Sequence, residues 1–495
     1  MSATVMPSTP YAEKPVRVRS PWLVLVIACL AQFMVVLDAT VVNIALPSVQ
    51  RGLHFSAANL QWVVNGYTLI FGGFLMLGGR AADLIGRKRL FVAGVALFSL
   101  ASLLNGFAQS SGMLIAGRAL QGLGGALVSP AALSIVTTTF SDGEQRTKAL
   151  GVWSAIAASG AAVGLLVGGV LTDLASWRWV FFVNVPIGIA TVALALRYVA
   201  ESRMDVEHRS FDLAGAFTVT GGLVVLVYTI VKAQAFGWAS ARTLLLGALA
   251  IALLAAFVAI ERRSQAPLMR LSIFRVRTLA IADTVLLLVA SAMFGMFYFA
   301  SLYVQEILGY SPLRAGLAFL PVTAGIMIGA GLAQQLIRRI GVRYVSIAGI
   351  TLATAGMLVL TQLPVHGSYV GNLLVGLMPL SLGMGLVFVP ITLLGTGGVK
   401  GEDAGLASGL FNTAQQIGGS LGLAILSTLA ASQTSSLRHG SGAGGALAAR
   451  VSGYHVAFAA AAVMLAIGAA LMAVALRRRH MAEVELGLAT AATPA

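Results

Sequence analysis

An acidic residue, Asp38, stands in the middle of the first long apolar run of the chain, within the sequence LDATVVNIALP of residues 37–47. An Asp at the centre of a membrane helix costs about 2.5 to 3.5 kcal/mol on insertion scales, so such residues normally face a bundle interior or a wet cavity and are often functional. Burial favours the protonated form of a carboxyl group, whereas a nearby cation favours the ionised form. We therefore predict that Asp38 binds and releases a proton as its surroundings change between two conformations.

Arg118 is the cation that falls inside a predicted span, the fourth. It lies about six residues from the outer end of that span, and Asp38 lies about 16 residues from the inner end of the first, so at 1.5 Å per residue both belong to the outer half of the membrane. This similar depth makes pairing possible. A static buried ion pair and an Arg bonded to backbone carbonyls are alternatives. We favour a proton-coupling pair that switches, because buried charges in membranes are usually functional.

A second embedded acid, Asp283, lies near the inner end of the predicted ninth span. Arg277 and the membrane interface are close to it in sequence, so a solvated surface acid and a substrate or proton site are equally compatible with the pattern. Asp283 is the alternative coupling residue if Asp38 proves to be structural.

The residue patterns that would indicate an enzyme are missing from the sequence. Its six His residues and its embedded acids form no metal or nucleophile pattern, and Cys29 is its only cysteine. A phosphate-binding P-loop, which would indicate ATP as the energy source, is also missing. We expect no catalytic residue, no cofactor and no bound metal.

The composition is that of a membrane protein. Hydrophobic residues make up 58% and charged residues 10% of the 495 residues, and the mean hydropathy is +0.90. A soluble domain would have a charged fraction of about a quarter, so the composition predicts an integral membrane protein, built entirely of α-helices. The net charge of +15 comes from short Lys and Arg clusters between apolar runs, as in cytoplasmic loops. We therefore expect the lipid bilayer, and not nucleic acid, as the charged partner.

Fourteen apolar runs are long enough, at about 20 residues each, to cross a hydrocarbon core of about 30 Å. Their approximate limits are 22–46, 59–78, 90–108, 112–138, 147–171, 178–199, 212–232, 242–262, 278–304, 313–337, 343–363, 368–396, 403–430 and 455–476. An even number of spans puts both termini on one side, and Lys and Arg residues are concentrated in the loops of that side. We predict a multi-pass protein of the cytoplasmic (inner) membrane with both termini in the cytoplasm.

The two halves of the chain resemble each other weakly. A short basic loop follows the second span at residues 79–89, and a similar loop follows the tenth at residues 334–343. Repeats with a central site at their interface are typical of transporters. We predict a disordered tail at 1–20, a six-helix bundle at 21–200, an inserted helix pair with flanking cytoplasmic loops at 201–277, a second six-helix bundle at 278–479 and a disordered tail at 480–495.

The most specific stretch is GRAADLIGRKR at residues 79–89, which we call the latch motif. Its glycines allow a tight turn between two spans, and its acid stands four residues before an arginine. A basic loop that sets the topology would explain the cations but not the acid and the glycines at this spacing. We therefore predict a conformational latch that must open when the protein changes shape. Its residues are Gly79, Asp83, Gly86, Arg87 and Lys88.

The latch motif resembles the signature loop of the major facilitator superfamily, and residues 37–47 resemble the first-span motif of its fourteen-span drug:proton antiporters, the QacA and EmrB type. Further similar segments lie at residues 61–67, 118–122, 177–188 and 404–416. Two positions depart from the family pattern: Leu165 stands where proline is usual in span five, and Arg338 stands where an acid is usual in the second copy of the loop. The resemblance implies the major facilitator fold, with two six-helix bundles plus an inserted helix pair.

Gly160, Gly164, Gly168 and Gly169 in span five match the antiporter motif of that family. A four-residue spacing puts the first three on one helix face, which lets another helix approach closely. Tight packing explains this ridge of small residues. The functional interpretation adds that the contact rearranges between inward and outward states, although the missing proline argues against a kinked hinge.

Polar and aromatic residues in three further spans form the predicted substrate cavity. Amides would be costly against lipid and should face inward, but lining a cavity and bonding between helices are equally compatible with each of them. Aromatic residues in span nine would suit planar hydrophobic ligands, although plain packing also explains them. The set is Gln61, Asn65, Tyr67, Phe294, Tyr298, Asn412, Gln415 and Gln416.

Together these features predict a monomeric, proton-coupled antiporter that exports amphipathic or cationic organic compounds by alternating access. A dedicated exporter of one metabolite, lipid or self-made antibiotic would share every feature, and only transport assays with different compounds would separate the two. A membrane enzyme or a non-transporting sensor fits less well, because the sequence shows neither a catalytic pattern nor a sizeable soluble domain.

Overall fold

The computed structural model describes residues 20–140, 143–203, 212–264, 267–396, 404–438 and 443–476. The side chains of residues 157, 158, 404, 438, 443 and 444 are not described. Apart from Ser20, the two predicted terminal tails lie outside the described residues.

Within these ranges the chain forms seventeen α-helices. In chain order they are α1 Pro21–Gly52, α2 Ala57–Leu60, α3 Trp62–Ile85, α4 Arg87–Gly106, α5 Ser111–Thr139, α6 Gly143–Leu174, α7 Trp179–Phe182, α8 Asn184–Tyr198, α9 Leu213–Phe236, α10 Ala241–Arg263, α11 Arg277–Leu302, α12 Pro312–Ala318, α13 Leu320–Ile340, α14 Val342–Leu360, α15 Leu374–Thr396, α16 Ala404–Arg438 and α17 Ala443–Ala475. A 3₁₀ helix spans Leu271–Arg275, and π-helical turns span Tyr303–Ile307 and Tyr369–Leu373.

Several helix starts follow from the local sequence. Pro21 occupies the first turn of α1, where its missing N–H costs nothing. The side chains of Ser110 and Ser240 accept hydrogen bonds from the backbone N–H groups of Met113 and Thr243, which caps α5 and α10. Such caps separate one apolar run from the next.

Thirteen helical segments of the described residues, counting consecutive helices as one, are long and apolar enough to cross a membrane. The chain is therefore a multi-pass membrane protein. The sequence predicts fourteen such spans, and the difference is α16, which coincides with the predicted span 403–430 and has 35 residues. Gly, Ser, Asn and Gln residues lower its hydropathy. Because α16 packs against α3, α11 and α17, it needs fewer apolar residues than a helix facing lipid.

The helices pack as two groups with a pair beside them. In the first group α1 packs on α5, α6 and α8, and α5 packs on α3 and α4; in the second, α15 packs on α13 and α14, and α17 packs on α11, α14 and α16. Helices α9 and α10 pack on each other, and α9 also contacts α3 and α16. Only 11% of the residues in the apolar stretch of α10 are buried inside the protein, so this helix faces lipid. The division into two six-span bundles and an inserted pair stays a prediction.

The two basic loops have similar backbone shapes. Gly86, between α3 and α4, has a φ of 126°, and Gly341, between α13 and α14, has a φ of 84°. Side chains other than glycine rarely adopt this region, so both turns depend on glycine. The weak sequence similarity of residues 79–89 and 334–343 therefore corresponds to a shared turn.

The cation at the second position of the helix after each turn also has the same role. Lys88 Nζ donates to the carbonyl oxygen of Leu196 at 2.8 Å, and Arg343 Nη2 donates to that of Ala473 at 2.5 Å. These carbonyls lie in the last turns of α8 and α17, where intrahelical partners are lacking and a cation is favourable. Each basic loop is thus tied to the end of a later helix.

Candidate functional site

Asp38 on α1 and Arg118 on α5 form an ion pair in which Arg118 Nη1 lies 2.5 Å from Asp38 Oδ2. Their side chains are 0% and 2% exposed. Withdrawing two charges from water costs several kcal/mol per ion, so a buried pair persists only when further hydrogen bonds satisfy both groups. The pairing that the similar depths allow is present in this conformation, and its switching stays a prediction.

Neutral side chains from α4, α5 and α8 surround the acid. Gln121 Nε2 and Asn184 Nδ2 both donate to Asp38 Oδ1, at 2.8 and 3.0 Å. Ser102 Oγ accepts from the same two amides at 3.2 and 3.1 Å. Arg118, Gln121 and Asn184 all act as donors to the carboxyl group, which is the arrangement that suits an ionised carboxylate, since it can only accept.

The guanidinium of Arg118 has partners besides Asp38. Its Nε donates to the carbonyl oxygen of Val63 at 2.9 Å, and its Cζ lies 4.4 Å from the ring centroid of Tyr67. Tyr67 is 1% exposed, and its ring also stacks on the ring of Phe71. In this conformation the ring of Tyr67 packs on Arg118, because the cation attracts its π face. Its assignment to the substrate cavity stays a prediction.

Sequence reasoning identified the ion pair but not its neutral partners. Gln121 and Asn184 lie in segments 118–122 and 177–188, which carry the family resemblance but give no indication of a contact with the acid. Ser102 and Asn105 lie in the third span, and Asn105 Nδ2 donates to Gln121 Oε1 at 2.8 Å. The available signal was a pair of polar residues three positions apart in an apolar run, which places both on one helix face.

The small-residue ridge of α6 lies directly against α1. A Cβ atom at Gly164 would be 3.0 Å from the carbonyl oxygen of Leu37, and one at Gly168 would be 2.8 Å from that of Val41. Gly160 approaches the same helix one turn earlier in α6. Because any side chain would separate the two helices, the ridge lets α6 pack immediately behind the residue that precedes Asp38.

The two helix groups meet where α3 packs on α16, which includes the hydrogen bond between the hydroxyls of Thr68 and Ser420. Three further contacts between the groups lie near the end of the bundle at which α1 ends. In the first, Gly169 lies against Pro312, and a Cβ atom on the glycine would be 2.7 Å from the proline carbonyl oxygen. In the second, Ser301 Oγ donates to the carbonyl oxygen of Asn43 at 2.9 Å. In the third, Gln305 Nε2 donates to the carbonyl oxygen of Ile44 at 3.0 Å. Gly169 thus faces α12 and not α1. The helix that carries the ridge touches both groups.

The latch motif is held by an acid outside it. Asp83 Oδ1 on α3 lies 3.3 Å from Nη2 of Arg87, the first residue of α4. The backbone N–H groups of Lys88 and Arg89 donate to the carboxylate of Glu201, at 3.1 and 3.2 Å. A carboxylate at a helix N-terminus satisfies free N–H groups and complements the helix dipole. Glu201, which the sequence did not single out, therefore caps α4.

The two glycines of the latch motif differ in their surroundings. A Cβ atom at Gly86 would lie 2.6 Å from Glu201 Oε1, in addition to the positive φ there. The nearest neighbour of a Cβ atom at Gly79 would be Pro130 at 3.7 Å, an ordinary contact. The structure therefore requires glycine at position 86 but not at position 79.

Asp283 on α11 is 6% exposed, and neither of its carboxyl oxygens has a hydrogen-bond partner. The interpretation as a solvated surface acid is therefore wrong in this conformation. An unpaired buried carboxylate is costly, so Asp283 stays a candidate for a second proton or substrate site. Among the residues that the structure describes, no group of three or more His, Cys, Asp or Glu side chains could hold a metal ion.

The predicted cavity residues on α3 and α16 differ in burial and in their hydrogen bonds. Gln61 and Asn65 are buried, and Asn65 Nδ2 donates to Gln61 Oε1 at 3.4 Å. Asn412 is exposed, whereas Gln415 and Gln416 are half-buried. The bond between Asn65 and Gln61 is local, within four residues of the chain, so it is not a bond between two spans. Whether these amides line the substrate cavity stays a prediction.

The two predicted aromatic residues of α11 also separate. Phe294 packs on α16, where a Cβ atom at Gly419 would be 2.8 Å from its ring. Tyr298 lines a cavity of about 540 Å³ between α1, α2, α9, α11, α16 and α17. Among the eight residues predicted for the substrate cavity, Tyr298 is the one that lines this space.

Sequence comparison relates the chain to one family. The family model described as Major Facilitator Superfamily matches residues 28–423. The puromycin resistance protein pur8 of Streptomyces alboniger is 40% identical over 96% of this chain and 95% of its own length. The cephamycin export protein CmcT of Amycolatopsis lactamdurans is 40% identical over 90% of each chain. The multidrug resistance protein Stp of Mycobacterium tuberculosis is 37% identical over 83% of this chain and 76% of its own length.

Solved structures share the arrangement of helices. A bacterial homologue of the human lysosomal transporter Spinster, inward-facing and occupied, has a TM-score of 0.66 and 18% identity, covering 94% of this chain and 97% of its own. The POT family transporter PepTSo has a TM-score of 0.64 and 15% identity, covering 92% of this chain and 99% of its own. At these identities the likeness concerns the fold alone, and it confirms the fold predicted from the sequence.

Proposed function

Because this chain belongs to the Major Facilitator Superfamily, we propose that it is a proton-coupled antiporter that exports amphipathic organic compounds across the cytoplasmic membrane by alternating access. Relatives that match it over nearly their whole length are named for resistance to puromycin and for export of cephamycin. We assign it to the fourteen-span QacA and EmrB type, working as a monomer with both termini in the cytoplasm.

The buried ion pair of Asp38 and Arg118 is the observation that carries the proposal. When Asp38 takes up a proton, Arg118 loses its counter-charge at a position that is 1% exposed. Removing one partner of a buried pair costs about 3 to 5 kcal/mol. Protonation therefore forces α5 to move relative to α1, or admits water to Arg118. Re-formation of the pair later expels the proton.

The ridge of α6 supplies a route from this event to the contact between the helix groups. Gly164 lies against the carbonyl of Leu37, beside the acid, and Gly169 on the same helix lies against Pro312 of α12. A shift of α1 therefore pushes on α6, and α6 in turn meets the second group. Coupling through packed helices needs elements with two discrete arrangements, and we propose that the α6–α12 contact is one of them.

The bonds from Ser301 and Gln305 to carbonyl oxygens of α1 form the closed gate of this conformation. They join α11 and the π-helical turn that follows it to the part of α1 that follows Asp38, at the end predicted to face outward. Opening toward the outside must break both bonds. The carbonyl oxygens that accept these bonds lie within two turns of Asp38 on the same helix. We therefore propose that protonation of Asp38 and opening of this gate are coupled.

The proton gradient is large enough to drive export. A proton that crosses 100 mV supplies about 2.3 kcal/mol, and one pH unit adds about 1.4 kcal/mol. For a neutral substrate exchanged one for one, this sustains an accumulation of roughly a few hundredfold.

The test is transport by the purified protein in proteoliposomes under an imposed pH gradient, with ethidium and an uncharged antibiotic as probes. We expect uphill movement of a probe against the proton flow, and its collapse on addition of a protonophore. Movement that survives the protonophore, or that follows a sodium gradient, would overturn proton coupling.

A dedicated exporter of one metabolite, lipid or self-made antibiotic is the second candidate. The relative named for cephamycin export favours it, since that protein bears the name of a single antibiotic class. A panel of cationic dyes and neutral antibiotics distinguishes the two functions. Transport of several unrelated compounds supports the broad exporter, whereas saturable transport of one compound supports the dedicated one.

A further inference from the structure

The cavity that contains Tyr298 lies apart from the ion-pair site, at the end of the bundle where α1 ends. Its volume is about 540 Å³, within the range of about 300 to 1,000 Å³ that holds drug-sized ligands. Gln50 of α1 and Ala58 of α2 line one side, and residues of α11, α16 and α17 line the other. The cavity therefore sits between the two helix groups, on the outward side of the predicted membrane.

Its lining combines one carboxylate with a cluster of aromatic rings. Glu306 lies 2.9 Å from Arg450 Nη1, and the hydroxyl of Tyr454 donates to the same Glu306 oxygen at 3.3 Å. The ring centroids of Phe299 and Tyr454 are 5.6 Å apart, and those of Phe299 and Tyr298 are 5.1 Å apart. A carboxylate beside aromatic faces is the chemistry that holds an organic cation.

Arg450 is a replaceable counter-ion. Its side chain is 49% exposed, whereas that of Glu306 is 20% exposed, so the guanidinium can turn into water while the carboxylate stays in the cavity wall. Exposed ion pairs contribute little to stability, so exchanging the partner costs little. The pair therefore leaves room for a competing cation.

Two further observations indicate a ligand site. Ser427, which lines the cavity, is 5% exposed, and its hydroxyl has no hydrogen-bond partner. Glu306 belongs to the π-helical turn Tyr303–Ile307, and such turns occur frequently at functional sites. A polar ligand would explain both observations. It would give the buried Ser427 hydroxyl a partner, and it would account for the irregular turn that carries Glu306, the only acid of the lining.

We propose that this cavity binds hydrophobic organic cations, with Glu306 exchanging Arg450 for the cationic group of the ligand and the aromatic cluster holding its apolar part. The same π-helical turn carries Gln305, which bonds to the carbonyl oxygen of Ile44 in α1. Ligand bound at Glu306 therefore acts on the turn that closes the gate. The site is an outward station for the exported compound. That last role rests on the proposed function, whereas binding does not.

The first test is equilibrium binding of ethidium to the full-length purified protein, followed by fluorescence. Glu306→Gln removes the charge and should weaken binding about tenfold. Arg450→Gln removes the competing cation and should tighten binding. Glu144→Gln, which disrupts the exposed Glu144–Lys148 pair on α6, is the matched control and should leave the affinity unchanged.

The opposite signs for Glu306→Gln and Arg450→Gln distinguish a ligand site from a structural ion pair. If the pair only holds α11 to α17, both variants weaken binding alike, and the proposal fails. An uncharged phenanthridine of similar size provides a second measurement. Its binding should not depend on Glu306, and an equal loss for the charged and uncharged probes would also overturn the proposal.

The second test locates the probe. Ala431 is half-buried in the cavity lining, and Cys29 is buried, so an Ala431→Cys variant should react with a maleimide mainly at the new thiol. Ethidium should slow this reaction. If ethidium binds but leaves the labelling rate unchanged, its site lies elsewhere. These outcomes are independent of a proton gradient, so a failure of coupled transport and a failure of this site are separate results.

Discussion

Asp38 and Arg118 are 80 positions apart in sequence, yet they form an ion pair whose two side chains are almost completely withdrawn from solvent. The acid also accepts hydrogen bonds from Gln121 and Asn184. A site that satisfies a carboxylate this completely responds strongly to its protonation, because the cation would be left without compensation.

Asp38→Asn should leave an expressed, membrane-inserted protein that cannot use a pH gradient to concentrate its substrate. The amide keeps the shape of the side chain but cannot titrate. Because Arg118 then stays buried without a counter-charge, we also expect a loss of about 3 to 5 kcal/mol in stability. Transport in proteoliposomes and thermal unfolding in detergent measure the two effects.

The double variant Asp38→Asn with Arg118→Gln is the control for that prediction. It removes both charges, so it should regain part of the lost stability while coupling stays absent. If the single Asn variant still exports its substrate uphill under a pH gradient, the coupling acid lies elsewhere, and Asp283 becomes the leading candidate.

Gly164→Ala should slow transport and lower stability, whereas Gly151→Ala should do neither. A Cβ atom at Gly164 would press on Thr40 and on the Leu37 carbonyl, but one at Gly151 in the same helix has no neighbour within 4 Å. Overpacking costs typically about 1 to 3 kcal/mol, while an unhindered change to alanine in a helix is neutral or favourable. Equal behaviour of the two variants in melting and transport assays would contradict the role of the ridge.

Glu201→Gln and Asp83→Asn should each preserve substrate binding but slow turnover. The first weakens the cap on α4 and the second removes the local partner of Arg87. Loss of one helix cap costs typically about 1 kcal/mol, which is too little to unfold the protein but enough to change the balance between two conformations. Binding affinity and single-turnover rates should therefore diverge, and wild-type kinetics in both variants would reduce the latch motif to a topology signal.

The predicted topology can be tested with cysteines at two described positions. Leu447→Cys, on α17 near Arg450, should react in intact cells with a reagent that cannot cross the membrane. Arg339→Cys, in the exposed last turn of α13, should react only after the cells are opened. The reverse pattern would show that the assignment of cytoplasmic loops from Lys and Arg residues is wrong.

The sequence by itself determined the membrane class, the order of the helices and the positions that stand out in them. Hydropathy and charge are local properties, so an acid such as Asp38 or a cation such as Arg118 is conspicuous in an apolar run without any knowledge of its neighbours. The turn at Gly86 is equally local, because backbone conformation depends on the residue itself. The predicted all-helical fold is confirmed, because the hydropathy that predicts each membrane helix is also a local property of the sequence.

Only the tertiary structure decided which side chains meet. Glu201 caps α4 across 113 positions of sequence, Tyr67 turns its ring to Arg118, and Glu306 faces Tyr454 from another helix. A helical pattern indicates which residues share a face, but not which helix that face will contact. Each of these pairs joins segments that are far apart along the chain, and packing of the helices is what brings them together.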